Sequence, residues 1–224
     1  MLVILRTLTL GATAGTLFAA VLSALPIRLG SRLALGAGIG AWISLIVALA
    51  GSGAVKASPL VVPALFALPL IAAGLAASSA PARSAMMAIP VPTIVALNAW
   101  RVLGVFMVLA AVAGTMSGPF PYAAGIGDIV TGIFALPVAR VAARNLRDVR
   151  VLEWNIFGAL DLVVAVALGI TYAQSGSAEM TTLPWALIPL VLVPTYLIGH
   201  ALVFAHLRAA APVKSGPQTT LVQA

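Results

Sequence analysis

Pro121-Tyr-Ala-Ala-Gly125-Ile-Gly127-Asp128-Ile-Val-Thr131-Gly132-Ile-Phe-Ala135-Leu-Pro-Val-Ala-Arg140 is an apolar run with one acid inside it. As a helix, a run of this length spans about 30 Å, the thickness of a bilayer's hydrocarbon core. An ionised side chain at that depth costs about 3 kcal/mol or more, so Asp128 must face a partner, another helix or water. Two more charges sit in comparable runs: Arg101 between Pro92 and Gly114, and Asp161 between Trp154 and Ala173.

Outward from this stretch the pattern repeats. Apolar runs fall at 4–25, 33–55, 59–79, 92–114, 121–140, 154–173 and 183–207. The composition agrees: 62% hydrophobic and 8% charged, where a soluble domain carries about 25% charged residues. The expected fold is all-α: a polytopic membrane bundle of seven transmembrane helices, forming a single domain over 1–210. Residues 211–224 form a short polar tail, expected to be disordered. Pro26, Pro59, Pro92, Pro121 and Pro184 stand at or near span ends, where a missing N–H is tolerated. Ser79–Pro92 is expected to form an interfacial turn. The chain has no cysteine, which removes disulfides, thiolate metal sites and thiol nucleophiles.

The basic residues orient the bundle. Arg28, Arg32, Arg83, Arg140, Arg144, Arg147, Arg150, Arg208 and Lys214 follow odd-numbered spans, whereas the opposite loops hold only Arg6 and Lys56. The positive-inside rule then places the N-terminus outside and the C-terminus in the cytoplasm. The net charge of +7 reads as topology charge rather than as a nucleic-acid surface. Met1–Ala24 has some features of a signal peptide, but its long apolar run and the basic loop after it fit an uncleaved helix. Trp154 and Trp185 are expected at opposite interfaces.

Residues 1–90 read as scaffold. Gly11/Gly15 and Gly36/Gly40 are small-xxx-small pairs of the kind that let helices approach closely, and these Gly/Ala-rich helices are a candidate homo-oligomer face. Residues 91–210 hold the polar features. Helix rise puts Arg101, Asp161 and Tyr196 about 18–20 Å from the outer ends of their spans. Asp128 lies nearer the outer face, and Asn98 and His200 lie nearer the inner one. Asn98 and Arg101 are three apart and Tyr196 and His200 four apart, so each pair shares a helix face. Asp128 shares its face with Ala124, Gly125, Thr131, Gly132 and Ala135, all small, so that face must press against a neighbouring helix.

Arginine stays charged in a protein and pairs strongly with one carboxylate. Arg101 with Asp161, matched in depth, forms the expected charge framework. Asp128 is then the candidate proton or cation carrier, with His200 as a relay toward the cytoplasm. The competing expectation is that Arg101 bridges both aspartates as a rigid lock. Asn155 is expected only to cap its helix, and Asp148 and Glu153 to make surface ion pairs.

Several chemistries are excluded or weakened. A retinal protein needs a Schiff-base lysine in the last span, and the lysines are Lys56 and Lys214. His200 and His206 share one helix and diverge, so one chain does not clamp a haem between them. No resident cofactor or metal is expected. Gly125-Ile-Gly127-Asp128 matches the GxGD pattern of intramembrane aspartyl proteases, in which paired aspartates activate water. There, however, the partner aspartate precedes the motif, whereas Asp161 follows it. Gly125-Ile-Gly-Asp128-Ile-Val and Gly158-Ala-Leu-Asp161-Leu-Val also read alike on oppositely running spans, a pattern found in transporters built from inverted repeats.

Arg101-Val-Leu-Gly104, Pro119-Phe-Pro121, Ala124-Gly-Ile-Gly-Asp128-Ile, Asn155-Ile-Phe-Gly158-Ala-Leu-Asp161-Leu, Pro194 and His200 together resemble uncharacterised bacterial multi-pass membrane proteins over about residues 92–208. That resemblance implies no activity. The expected function is a small-solute permease or proton/cation-linked transporter of the cytoplasmic membrane. The pocket residues are Arg101, Asp128, Asp161, Asn98, Tyr196 and His200, and the partners are the lipid bilayer and a small solute or proton. A membrane scaffold or accessory subunit is the alternative.

Overall fold

The computed structural model describes residues 15–58, 60–173 and 177–210. The described chain is all-helical. It comprises α1 (Gly15–Ala24), α2 (Leu29–Gly51), the short α3 (Ala54–Ala57), α4 (Val61–Ser78), α5 (Ala80–Met87), α6 (Val91–Leu97), α7 (Val105–Val112), α8 (Phe120–Arg144), α9 (Val149–Thr171) and α10 (Val193–Ala209). A 3-10 segment, Asn98–Gly104, joins α6 to α7, and a π-helical turn, Ile188–Leu192, leads into α10.

Among the described residues six helical stretches are long and apolar enough to cross a membrane: α2, α4, α6 through α7, α8, α9, and the π turn with α10. Of the first expected span, only α1 lies among the described residues. Arg6, Gly11, Lys214 and the tail fall outside them. Ser79–Pro92, read as a turn, instead contains α5, because Pro81 in its first turn lets a new helix start directly after Ser79. The span α4 stays continuous through Pro69.

Among the described residues three apolar clusters hold the bundle. One joins Leu25, Val95, Ala139, Val151, Trp154 and Val203 at the end where the arginines gather. Another joins Met107, Met116, Phe120, Met180 and Trp185 at the opposite end. A third runs along the side, packing α2 and α4 on the π turn and α10 through Ile46, Leu65, Leu190 and Tyr196. The polar residues of α6–α10 occupy the layer between the two end clusters.

Local chemistry explains the irregular segments. Pro194 has no N–H for the carbonyl of Leu190, four residues earlier. Trp42 Nε1 donates to that carbonyl instead, at 3.3 Å, which ties α2 to the π turn. The α7–α8 turn uses Gly114 (φ 71°) and Gly118 (φ 74°), left-handed conformations that a Cβ disfavours.

Two expectations about packing are corrected. Trp154 and Trp185 do not face outward from the bundle as belt residues would; each is 6% exposed, and Trp154 Nε1 donates to the Thr131 carbonyl at 3.0 Å. An indole that finds a carbonyl partner in the core has no need of water for its N–H. Among the described residues a Cβ at Gly15 or Gly40 would meet no atom within 4 Å and one at Gly36 would touch only Leu22, so there these glycines serve no close helix contact.

Candidate functional site

The site begins with the winding of Asn98–Gly104. In a 3-10 segment residues three apart eclipse one another, so Asn98, Arg101 and Gly104 form one column, and all three are buried. An ordinary α-helix would fan them out. The column packs on α8, where backbone meets backbone: a Cβ on Gly104 would lie 2.7 Å from Asp128 Cβ and 2.7 Å from the Gly125 carbonyl. A Cβ on Gly132 would lie 2.5 Å from the Val102 nitrogen. The glycines of α8 therefore bring Arg101 against the helix that carries Asp128.

Arg101, 3% exposed, is the hub. Its Nε donates to Asp128 Oδ1 at 2.6 Å, and its Nη2 donates to Asp161 Oδ2. Nη1 donates to the Gly158 carbonyl at 3.2 Å and contacts His200 Nε2 at 3.2 Å. The guanidinium carbon stands 5.7 Å from the Tyr196 ring centroid, within cation–π range. One side chain thus joins α8, α9 and α10, and both aspartates hold the same cation.

These contacts fix His200. Arg101 only donates, so His200 Nε2 must accept and its proton must sit on Nδ1. Nδ1 in turn donates to Asn155 Oδ1 at 2.8 Å, and Asn155 Nδ2 donates to the His200 carbonyl at 3.2 Å. The imidazole is neutral, oriented from both sides and packed against Trp154, with ring centroids 5.4 Å apart. Gly158 makes room for it, since a Cβ there would lie 2.6 Å from His200 Cε1. Gly127 does the same for Asp161, whose carboxylate fills the place a Cβ would take.

The structure brings Arg101, Asp128, Asp161, Tyr196 and His200 into one cluster. Asn98 sits one turn along the column. Its Nδ2 donates to the Ile94 carbonyl at 3.0 Å, while its Oδ1, like Thr131 Oγ1, is buried without a hydrogen-bond partner among the described residues. A cavity of about 30 Å³ adjoins Arg101, Asp128 and Tyr196, walled in part by Met107, Leu162 and the π turn. It has room for a water molecule. Asp128 is the more open carboxylate, its side chain 18% exposed against 9% for Asp161.

Asn155 was not legible as a site residue. It does not cap α9; Asp148 does, accepting from the Arg150 backbone nitrogen at 3.1 Å. Asn155 is instead fully buried on His200. The available signal was its spacing with Gly158 and Leu162, which marks a helix face that is buried in the fold. Among the described residues no three His, Asp or Glu side chains are arranged to hold a metal. One cation against two acids leaves the cluster one negative charge in excess unless a proton or another cation joins it.

No curated protein and no solved structure matches the chain. A family model does, over residues 59–208, which takes in α4 through α10 and reaches further toward the N-terminus than the resemblance over 92–208. The chain belongs to the family described as a domain of unknown function (DUF8737).

Proposed function

We propose that this protein is a proton- or cation-linked permease whose working group is the Arg101–Asp128–Asp161 cluster. The observation that carries the reading is charge imbalance in a buried layer: one guanidinium stands between two carboxylates, 2.6 Å from Asp128 Oδ1 and in direct contact with Asp161. A proton or small cation restores neutrality, and the more open Asp128, beside the cavity, is the group that takes it up. Arg101 and Asp161 hold the frame. His200 serves as a neutral acceptor that orients Arg101, because a second ring proton would turn Nε2 into a donor facing another donor. Tyr196 lines the cavity and Asn98 continues the column.

The seven-span topology, with the N-terminus outside and the C-terminus in the cytoplasm of a bacterial-type cell, belongs to the same proposal. It is supported by the gathering of Arg83, Arg140, Arg144, Arg147, Arg150 and Arg208 at one end of the bundle, with Lys56 at the other. The aspartyl-hydrolase reading is disfavoured, because a guanidinium occupies the position between the carboxylates where a shared proton and a water would have to act.

A second reading, a membrane scaffold with a polar lock, is favoured by the engagement of both nitrogen arms and the Nε of Arg101 and by the small cavity. Proteoliposomes loaded with a pH-sensitive dye separate the two under an imposed potential. The permease reading expects proton entry with the native chain and loss of that entry with Asp128→Asn, the fold retained. No flux with either chain would leave the scaffold reading.

A further inference from the structure

A groove of about 760 Å³ runs along the bundle surface between α6 and α8. Its polar side chains are segregated. Thr93 and Arg140 lie at the end near the arginine-rich terminus of α8, and the groove continues inward over Ala96, Ala139 and Leu136 to Trp100. Small residues on both helices open it: alanine at 96, 99, 139 and 143 leaves space where larger side chains would close the seam. Arg140 is exposed, and the ion pairs among the described residues belong to Arg101 and Arg150, not to it. Arg144 and Arg147 follow on the same segment, Asp148 is held by Arg150, and Glu153 is the one other acid at this end, so this end of the groove carries a net positive charge.

We infer that the α6–α8 groove binds one anionic phospholipid, with the phosphate on Arg140 and Thr93 and an acyl chain laid over Ala96 and Leu136 to Trp100. A cation at the mouth and an apolar floor leading toward the membrane interior match the two halves of such a lipid, and basic pockets between spans are where anionic headgroups settle. A soluble anion would not use the floor, and a neutral lipid would not use the net positive charge. Trp100 also walls the small cavity beside Asp128, so the acyl chain ends against the back of the polar layer.

The test uses the full-length protein in neutral detergent, with phosphatidylglycerol, phosphatidylcholine of the same chain length, or inorganic phosphate added. Phosphatidylglycerol is expected to raise the unfolding temperature by about 4 °C or more, with little effect from the other two. Native mass spectrometry is expected to retain one phosphatidylglycerol per chain. Arg140→Gln should remove both effects, as should Ala143→Trp, which fills the groove from an exposed position. Arg144→Gln, one turn on and outside the groove, should keep them. Equal stabilisation by both lipids, a response that survives Arg140→Gln, or equal loss with Arg144→Gln would overturn the assignment. A full response to phosphate alone would overturn it in favour of a simple anion site. A change in oligomeric state in place of a lipid adduct would assign the groove to a second copy of the chain.

Discussion

The carboxylate of Asp161, on α9, fills the space that a side chain at Gly127, on α8, would need. The GxGD sequence therefore has a steric meaning here: Gly125 lets α8 meet the Gly104 backbone, Gly127 admits the acid of the neighbouring helix, and Asp128 supplies its own. Gly127→Ala should displace Asp161 from Arg101 and lower stability by about 1–3 kcal/mol. Gly74→Ala, at a position where a Cβ meets nothing within 4 Å, should leave the unfolding temperature unchanged or slightly raised. Thermal unfolding in detergent compares the pair, and equal shifts would refute the steric account.

Removing the hub should cost more than removing either spoke. Arg101→Gln leaves two buried carboxylates without their cation and should destabilise by about 3–5 kcal/mol. Asp161→Asn or Asp128→Asn leaves a one-to-one ion pair and an amide that still accepts, for a loss of about 1–3 kcal/mol. Chemical denaturation of the three variants checks the order.

His200 should carry its proton on Nδ1 at neutral pH. Nitrogen-15 NMR of the imidazole reads the tautomer directly. Asn155→Leu, which strips the acceptor from Nδ1, should mix the tautomers and lower stability by about 1–3 kcal/mol. A spectrum unchanged by that substitution would mean that Asn155 does not hold the ring.

At the basic end, Asp148 caps α9, and its hydrogen bonds to Arg150 hold its pKa at about 2, below the ordinary 3.8. A carboxyl depressed in the folded state contributes stability above its unfolded pKa and loses it as pH falls through the folded value. The native chain should therefore lose this contribution between about pH 4 and about pH 2. Asp148→Asn should flatten that part of the stability–pH curve, lowering stability at neutral pH, where the native chain has the full contribution, and leaving it unchanged near pH 2.

Much of the fold was legible because lipid imposes a simple rule on sequence: long apolar runs cross, and charges inside them must meet. The small face of α8 around Asp128 was legible for the same reason, since Ala124, Gly125, Thr131, Gly132 and Ala135 are all buried. What could not be read was which neighbour each polar residue would find. Asn155 looks like a cap because asparagine beginning a span usually is one, and only the approach of α10 gives it His200. Trp154 reads as an outward-facing belt residue, and only the approach of α8 buries it and gives its N–H the Thr131 carbonyl. The bridging of both acids by Arg101 depends on the 3-10 winding of Asn98–Gly104, and no single residue in Asn-Ala-Trp-Arg-Val-Leu-Gly announces that winding.

That winding also sets a mechanical limit on the hub. A seven-residue 3-10 stretch is longer than the same residues coiled as an α-helix by about 3.5 Å. Relaxation to the commoner coil would pull the two halves of the span together and swing the guanidinium around the helix axis. It could then no longer reach both carboxylates at once. The tether between α8 and α9 is thus only as durable as about two turns of overstretched backbone, and the place to look for a second state of this protein is the pitch of those turns.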